Sequence, residues 1–162
     1  MPEEPLEVLI GNLLRSHGWR LAVAESCTGG LVGHRLTNVP GSSDYFLGGV
    51  ISYANETKVH LLGVSWGTLE TFGAVSRETV LEMARGVRQS LSADIGLSVS
   101  GIAGPGGGTP EKPVGITWIG LSAKSYENAW QHTWNGDRIS NKEHSAQAVL
   151  QHLVDYLQVD RS

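Results

Sequence analysis

Ser26, Cys27 and Thr28 stand in a row between a short apolar segment, Leu21 to Ala24, and the paired glycines Gly29 and Gly30. Each carries a nucleophilic or hydrogen-bonding group. A strand that breaks into small polar residues before a helix sets a hydroxyl at the helix N-terminus. Unpaired N–H groups and the positive end of the helix dipole can there receive an anion or a developing oxyanion. The chemistry is therefore phosphate binding or attack by a serine. Cys27 is chemically the easier nucleophile, but single cysteines of this kind are most often buried and inert. Gly29 occupies the place where an SxxK motif would put its lysine, so any base that activates Ser26 comes from elsewhere in the chain.

Lys58, in the run Ser52-Tyr53-Ala54-Asn55-Glu56-Thr57-Lys58, is a candidate base. With Asn55 as an N-cap, the lysine falls in the first helical turn, where the dipole disfavours a cation and lowers its pKa. A depressed lysine serves as a general base; an ordinary solvated lysine would do nothing. Tyr53 would relay a proton or pack its ring. The run from Ser100 to Pro110, with Gly101, Gly104, Gly106, Gly107 and Gly108, is too glycine-rich for a plain turn. It lacks the Gly-Lys-Ser/Thr ending of a P-loop and the third glycine of the dinucleotide fingerprint. Close backbone approach to a ligand, with Ser100 entering the site, competes with a flexible surface loop. Arg138, and Lys142 a turn later, could hold a phosphate or remain solvated. The six histidines show no metal-ligand spacing, so no metal and no cofactor are expected.

These residues need a scaffold, and the pattern supplies one. Leu6, Leu9, Ile10, Leu13 and Leu14 follow helical spacing up to Gly18. Strands are predicted at 20–24, 47–53, 95–99, 114–123 and 129–134. Helices are predicted over 28–38 and 55–62, from a Ser76 cap onward, and along a final segment carrying Ala146, Val149, Leu150, Leu153, Val154 and Leu157. Helices interleaved with strands, followed by a hairpin across 124–128, predict a three-layer α/β/α sandwich with a mixed, mainly parallel sheet. All 162 residues fit one domain with a full core. A formal net charge of −4 argues against a general nucleic-acid binder. The lone Cys27 rules out an intrachain disulfide and suits a reducing cytoplasm. The acidic start, Met1 to Pro5, has no secretory-signal pattern, and no run is long enough to span a membrane.

The motifs AESCTGG at 24–30, GGVISYANETKVHLLGV at 48–64, GAVS at 73–76, SGIAGPGGG at 100–108, KPVG at 112–115 and GDR at 136–138 appear in this order. In that order they resemble the C-terminal domain of the CinA (competence/damage-inducible) proteins. The likeness runs from about Leu6 to Leu157, and the family includes stand-alone nicotinamide-mononucleotide deamidases of the PncC type. The resemblance implies hydrolysis of the carboxamide of nicotinamide mononucleotide (NMN) to nicotinic acid mononucleotide and ammonia, in NAD salvage. It further implies a metal-independent domain that is often a homodimer. Carried over by position, Ser26 is the nucleophile, Lys58 its activator and Tyr53 an assistant, while Ser100 adds a hydroxyl where relatives often have threonine. Relatives follow GDR with a second arginine; here Lys142 stands there, keeping the charge without the bidentate fork. The N-terminal molybdopterin-binding-like domain of longer relatives has no counterpart in this chain, and its pyrophosphatase activity is not expected.

The expected reaction is acyl transfer. Neutral Lys58, directly or through Tyr53, takes the Ser26 Oγ proton, and backbone N–H groups from Thr28 to Gly30 stabilise the oxyanion. Each such donor contributes about 3 kcal/mol. Arg138, Lys142 or the glycine loop holds the phosphate. The rival readings are a non-catalytic nucleotide-binding regulatory module and an amidase for another phosphorylated amide.

Overall fold

Helix spacing and caps translate directly into the first elements. The computed structural model describes residues 3–159. The apolar stripe of Leu6–His17 (α1) buries Ile10 and Leu14, and Gly18 ends the helix in the left-handed region at φ 71°. The wholly buried Leu21–Glu25 (β1) follows, then Leu31–Thr37 (α2), Phe46–Ile51 (β2) and Asn55–Leu62 (α3). Next come Trp66–Phe72 (α4), Arg77–Ser90 (α5), Ile95–Gly101 (β3), Ile116–Ala123 (β4), Glu127–Thr133 (β5) and Arg138–Gln158 (α6).

The strands form one sheet in the order β2-β1-β3-β4-β5. β1 pairs in parallel with both β2 and β3, whereas the β3–β4 and β4–β5 pairings are antiparallel. Four of the five strands thus point the same way, with β4 reversed. Helices α1, α2 and α6 cover one face through Ile10, Leu14, Leu36, Leu150 and Leu153. On the opposite face Leu62, Leu69, Val80, Met83 and Val87 bring in α3, α4 and α5. This is the expected three-layer α/β/α sandwich. Among the described residues no helix is long and apolar enough to cross a membrane.

Several boundaries differ from the sequence expectation. The helix expected over 28–38 starts only at Leu31, because Gly29 (φ 60°) and Gly30 (φ 107°) hold the chain in a turn that non-glycine residues enter with strain. Asn55 is the first residue of α3 rather than its cap; the cap position is Ala54, without a side-chain bond. Ser76 does cap α5, accepting the Thr79 N–H at 3.2 Å. The short α4 is an addition, started by Ser65, which accepts the Thr68 N–H.

The topology creates one crevice. The chain leaves β1 through α2 on one face and leaves β2 through α3, α4 and α5 on the other. The carboxyl ends of β1 and β3 therefore meet at a switch point, where ligands of open α/β sheets bind. Gly86 sets how closely α3 lies beside α5: a Cβ there would meet the Leu62 carbonyl oxygen at 1.8 Å. Gly86→Ala should push α3 away, at a cost of about 1–3 kcal/mol. Denaturant unfolding checks the loss, and a wild-type midpoint would show that α3 packs otherwise.

Candidate active site

Ser26 follows β1 without a spacer, and its N–H donates to the Val99 carbonyl of β3 at 3.0 Å. The serine is thereby fixed across the switch point. Lys58 reaches it from α3, with Nζ 3.0 Å from Ser26 Oγ, 2.6 Å from the Ser52 carbonyl and 3.4 Å from the Tyr53 carbonyl. The lysine is only 1% exposed, and no carboxylate is among its partners. Two carbonyls and one hydroxyl satisfy the three N–H donors of an ammonium, or the two donors and one lone pair of a neutral amine. Burial favours the neutral form: desolvation brings the Lys58 pKa down to about 8, opposed by the neighbouring Cys27. The expected lowering is present, with burial rather than the helix dipole as its main cause.

The turn after Ser26 departs from expectation in a second way. The N-terminal amides of α2 are already filled by the chain's own carboxylate. Glu25 is 2% exposed and accepts from the N–H groups of Gly30, Val32 and Gly33 at 3.3, 2.9 and 3.0 Å, and from the Thr28 hydroxyl at 2.5 Å. Gly29 N–H donates to the Ser26 carbonyl. The helix N-terminus is therefore no seat for a ligand anion, and of the amides from Thr28 to Gly30 only that of Thr28 lies outside these bonds. The Thr28 hydroxyl is committed as well. Cys27 is a poor nucleophile here: burial pushes its thiol up to about 12, with its own backbone N–H pulling the other way.

Ser26, Cys27 and Lys58 line a cavity of about 310 Å3 with Tyr53, Asn55, Ser100, Gly101, Gly104, Gly106 and Arg138. That volume suits a small ligand. Ser100 and Gly101 belong to β3 rather than to a loop. Tyr53 is 62% exposed, and its ring does not approach Lys58 through the phenol: the hydroxyl accepts from Arg138 at 3.1 Å, and only the main-chain carbonyl meets the lysine. Arg138 also donates to the Gly104 carbonyl at 2.9 Å and so spans the mouth of the cavity. Lys142 sits on the far side of the turn, its Nζ 3.7 Å from where a Gly29 side chain would begin. A larger cavity of about 620 Å3, around Trp19, Arg88 and Tyr126, opens at the opposite end of β3 and holds none of these groups.

Two residues that the motif reading passed over hold the site together. Glu25 is one; its signal is an acid at the end of an otherwise apolar strand. Asn141 is the other. It is 2% exposed, donates to the Ala103 and Gly136 carbonyls and accepts the Gly136 N–H, all at 3.0 Å. The glycine loop is thus tied to the start of α6. Among the described residues no group of three His, Cys, Asp or Glu is placed to hold a metal.

The sequence profile of the CinA C-terminal domain matches residues 3–157. The chain belongs to the CinA C-terminal domain family. A CinA-like protein of Chloroherpeton thalassium is 52% identical over 90% of this chain and 36% of its own length. The chain spans about a third of the length of the curated relatives it matches. Solved structures correspond along nearly their full length. Competence damage-inducible protein A (ComA) from Klebsiella pneumoniae superposes with a TM-score of 0.91 at 32% identity, over 94% of both chains. Competence/damage inducible protein CihA from Agrobacterium tumefaciens gives 0.86 at 37% identity, over 98% of this chain and all of its own.

Two outcomes follow for this CinA domain. Cys27 should resist a thiol-reactive disulfide reagent at pH 8 in the native state and react fully in denaturant; rapid native labelling would contradict its burial. Lys58 binds its proton less tightly folded than unfolded, so it favours folding increasingly as pH rises from about 8 toward about 10.5. Lys58→Met should remove that rise, which paired denaturation curves at pH 7 and pH 10 would register.

Proposed function

We propose that this domain hydrolyses the carboxamide of nicotinamide mononucleotide, with Ser26 as nucleophile and Lys58 as general base. One observation carries the reading: a buried lysine amine, depressed to about 8, rests 3.0 Å from a serine hydroxyl inside a small-ligand cavity. At pH 7 roughly a tenth of such lysines are neutral, against less than about 0.1% of ordinary ones. That gain of two orders of magnitude is what a serine without a histidine needs.

In the first step Lys58 Nζ takes the Ser26 Oγ proton while Oγ bonds to the amide carbon. The carbonyl oxygen becomes an oxyanion, which the N–H groups just after Ser26 receive. The tetrahedral centre collapses, the C–N bond breaks, and the Lys58 ammonium returns its proton to the departing ammonia. Water then attacks the acyl-enzyme, Lys58 takes its proton, and the Oγ–C bond breaks as Ser26 is reprotonated. Nicotinic acid mononucleotide leaves.

Because Glu25 fills the α2 N-terminus, the phosphate is assigned to Arg138 at the cavity mouth, with Lys142 beside the Gly29 turn as the second cation. Tyr53 acts through Arg138, holding the guanidinium across the mouth, rather than by relaying the Ser26 proton. A homodimer and a cytoplasmic place in NAD salvage belong to the same proposal. The intact Ser26–Lys58 pair weighs against a purely regulatory nucleotide binder.

Purified protein in EDTA should release ammonia from NMN, and Ser26→Ala should lower the rate at least 10^3-fold, the scale of losing a covalent nucleophile. The kcat/KM profile should rise with pH through about 8, following deprotonation of Lys58. A folded protein that binds NMN without releasing ammonia would favour the binding module, and full activity in Ser26→Ala would remove the nucleophile assignment.

A further inference from the structure

We infer that Glu25 is a positioning residue for the reaction, acting through the backbone of the turn that follows Ser26. The inference rests on the serine-nucleophile reading above and goes beyond it, because Glu25 touches neither Lys58 nor the Ser26 hydroxyl.

All four partners of the Glu25 carboxylate are donors: the Thr28 hydroxyl and the amides of Gly30, Val32 and Gly33. Oε1 takes three of them and Oε2 the fourth. A carboxylate can accept at both oxygens, and here every partner is a donor. A lone helix cap needs one or two such bonds. Here the bonds reach from the third to the eighth residue after Glu25 and close the whole loop between β1 and α2 on a single buried side chain. Gly29 and Gly30 adopt positive φ to let the chain wrap around it.

The wrap has a consequence for the amides. The carboxylate binds Gly30, Val32 and Gly33, and the Ser26 carbonyl takes Gly29. The Thr28 N–H lies outside these bonds, and the Cys27 N–H is shared with its own thiol, in the turn that begins at the nucleophile. They are the donors left to receive an oxyanion formed at Ser26. Their position depends on the turn, and the turn depends on Glu25. The carboxylate therefore works on the transition state without touching it, and it keeps the α2 N-terminus from capturing the substrate phosphate in an unproductive pose.

Glu25→Gln tests this. The amide has the same shape but turns an NH2 toward backbone N–H donors, so the turn must loosen. Expected are a folded protein, a kcat lowered on the order of 10^2-fold, the scale of one lost oxyanion donor, and a KM within about threefold of wild type. The pH inflection near 8 should stay, because the Lys58 contacts are untouched. Wild-type kcat, a loss confined to KM, or a shifted inflection would each overturn the inference. Should Glu25→Gln fail to fold, Thr28→Val removes one of the four bonds and should give a smaller loss with the same split.

A second readout needs no substrate: the rate at which a fluorophosphonate labels Ser26. Wild type labelled readily without releasing ammonia from NMN would defeat the deamidase reading alone. Glu25→Gln labelled as fast as wild type would defeat the positioning role alone.

Discussion

A lysine without water is the constraint around which this domain is arranged. Taking an ammonium out of solvent without an ion pair is costly, so the group holds its proton less tightly. Among the described residues no carboxylate bonds Lys58, and two carbonyls and a hydroxyl stand around it instead. The acceptors come from the end of β2, the hydroxyl from the end of β1, and the lysine from α3. Those elements meet because β1 and β2 pair in parallel and because Gly86 lets α3 lie close against α5. The lowered pKa of Lys58 is a packing property before it is a chemical one.

The same logic separates the two side chains at the head of the turn. Ser26 and Cys27 are neighbours and both are buried, yet burial acts on them in opposite directions. A hydroxyl needs a base, and burial makes Lys58 one. A thiol needs ionisation, and burial suppresses it. Burial therefore disfavours the thiol as a nucleophile and leaves the hydroxyl beside a lysine of lowered pKa.

Much of this was legible in the residues. The apolar spacing of α1 and α6, the buried run of β1 and the Ser76 cap reported their own environments, and the structure agrees with them. Ser26, Lys58 and the Ser100–Gly107 segment converge on one cavity, as the motif order implies. What stayed hidden was anything decided by a distant partner. A glutamate at the end of a strand reads as a solvated charge until the chain folds back and offers it four donors. Asn141 reads as an ordinary helix residue next to Lys142. Tyr53 sits beside the base in sequence, but its phenol is directed by Arg138, 85 positions later. The late start of α2 has the same origin, since the glycines bend around a side chain the local pattern does not reveal.

The glycine loop leans on α6: Arg138 and Asn141 bind its carbonyls at Gly104 and Ala103. Ser26 and Lys58, by contrast, stand far earlier in the sequence than these two residues. A polypeptide emerging from the ribosome thus completes β1, its serine and its lysine long before it can make a binding site. Until the last helix is synthesised and docked, the loop has no anchor and the cavity no outer wall. The cavity around Ser26 and Lys58 is therefore completed only once α6 has docked.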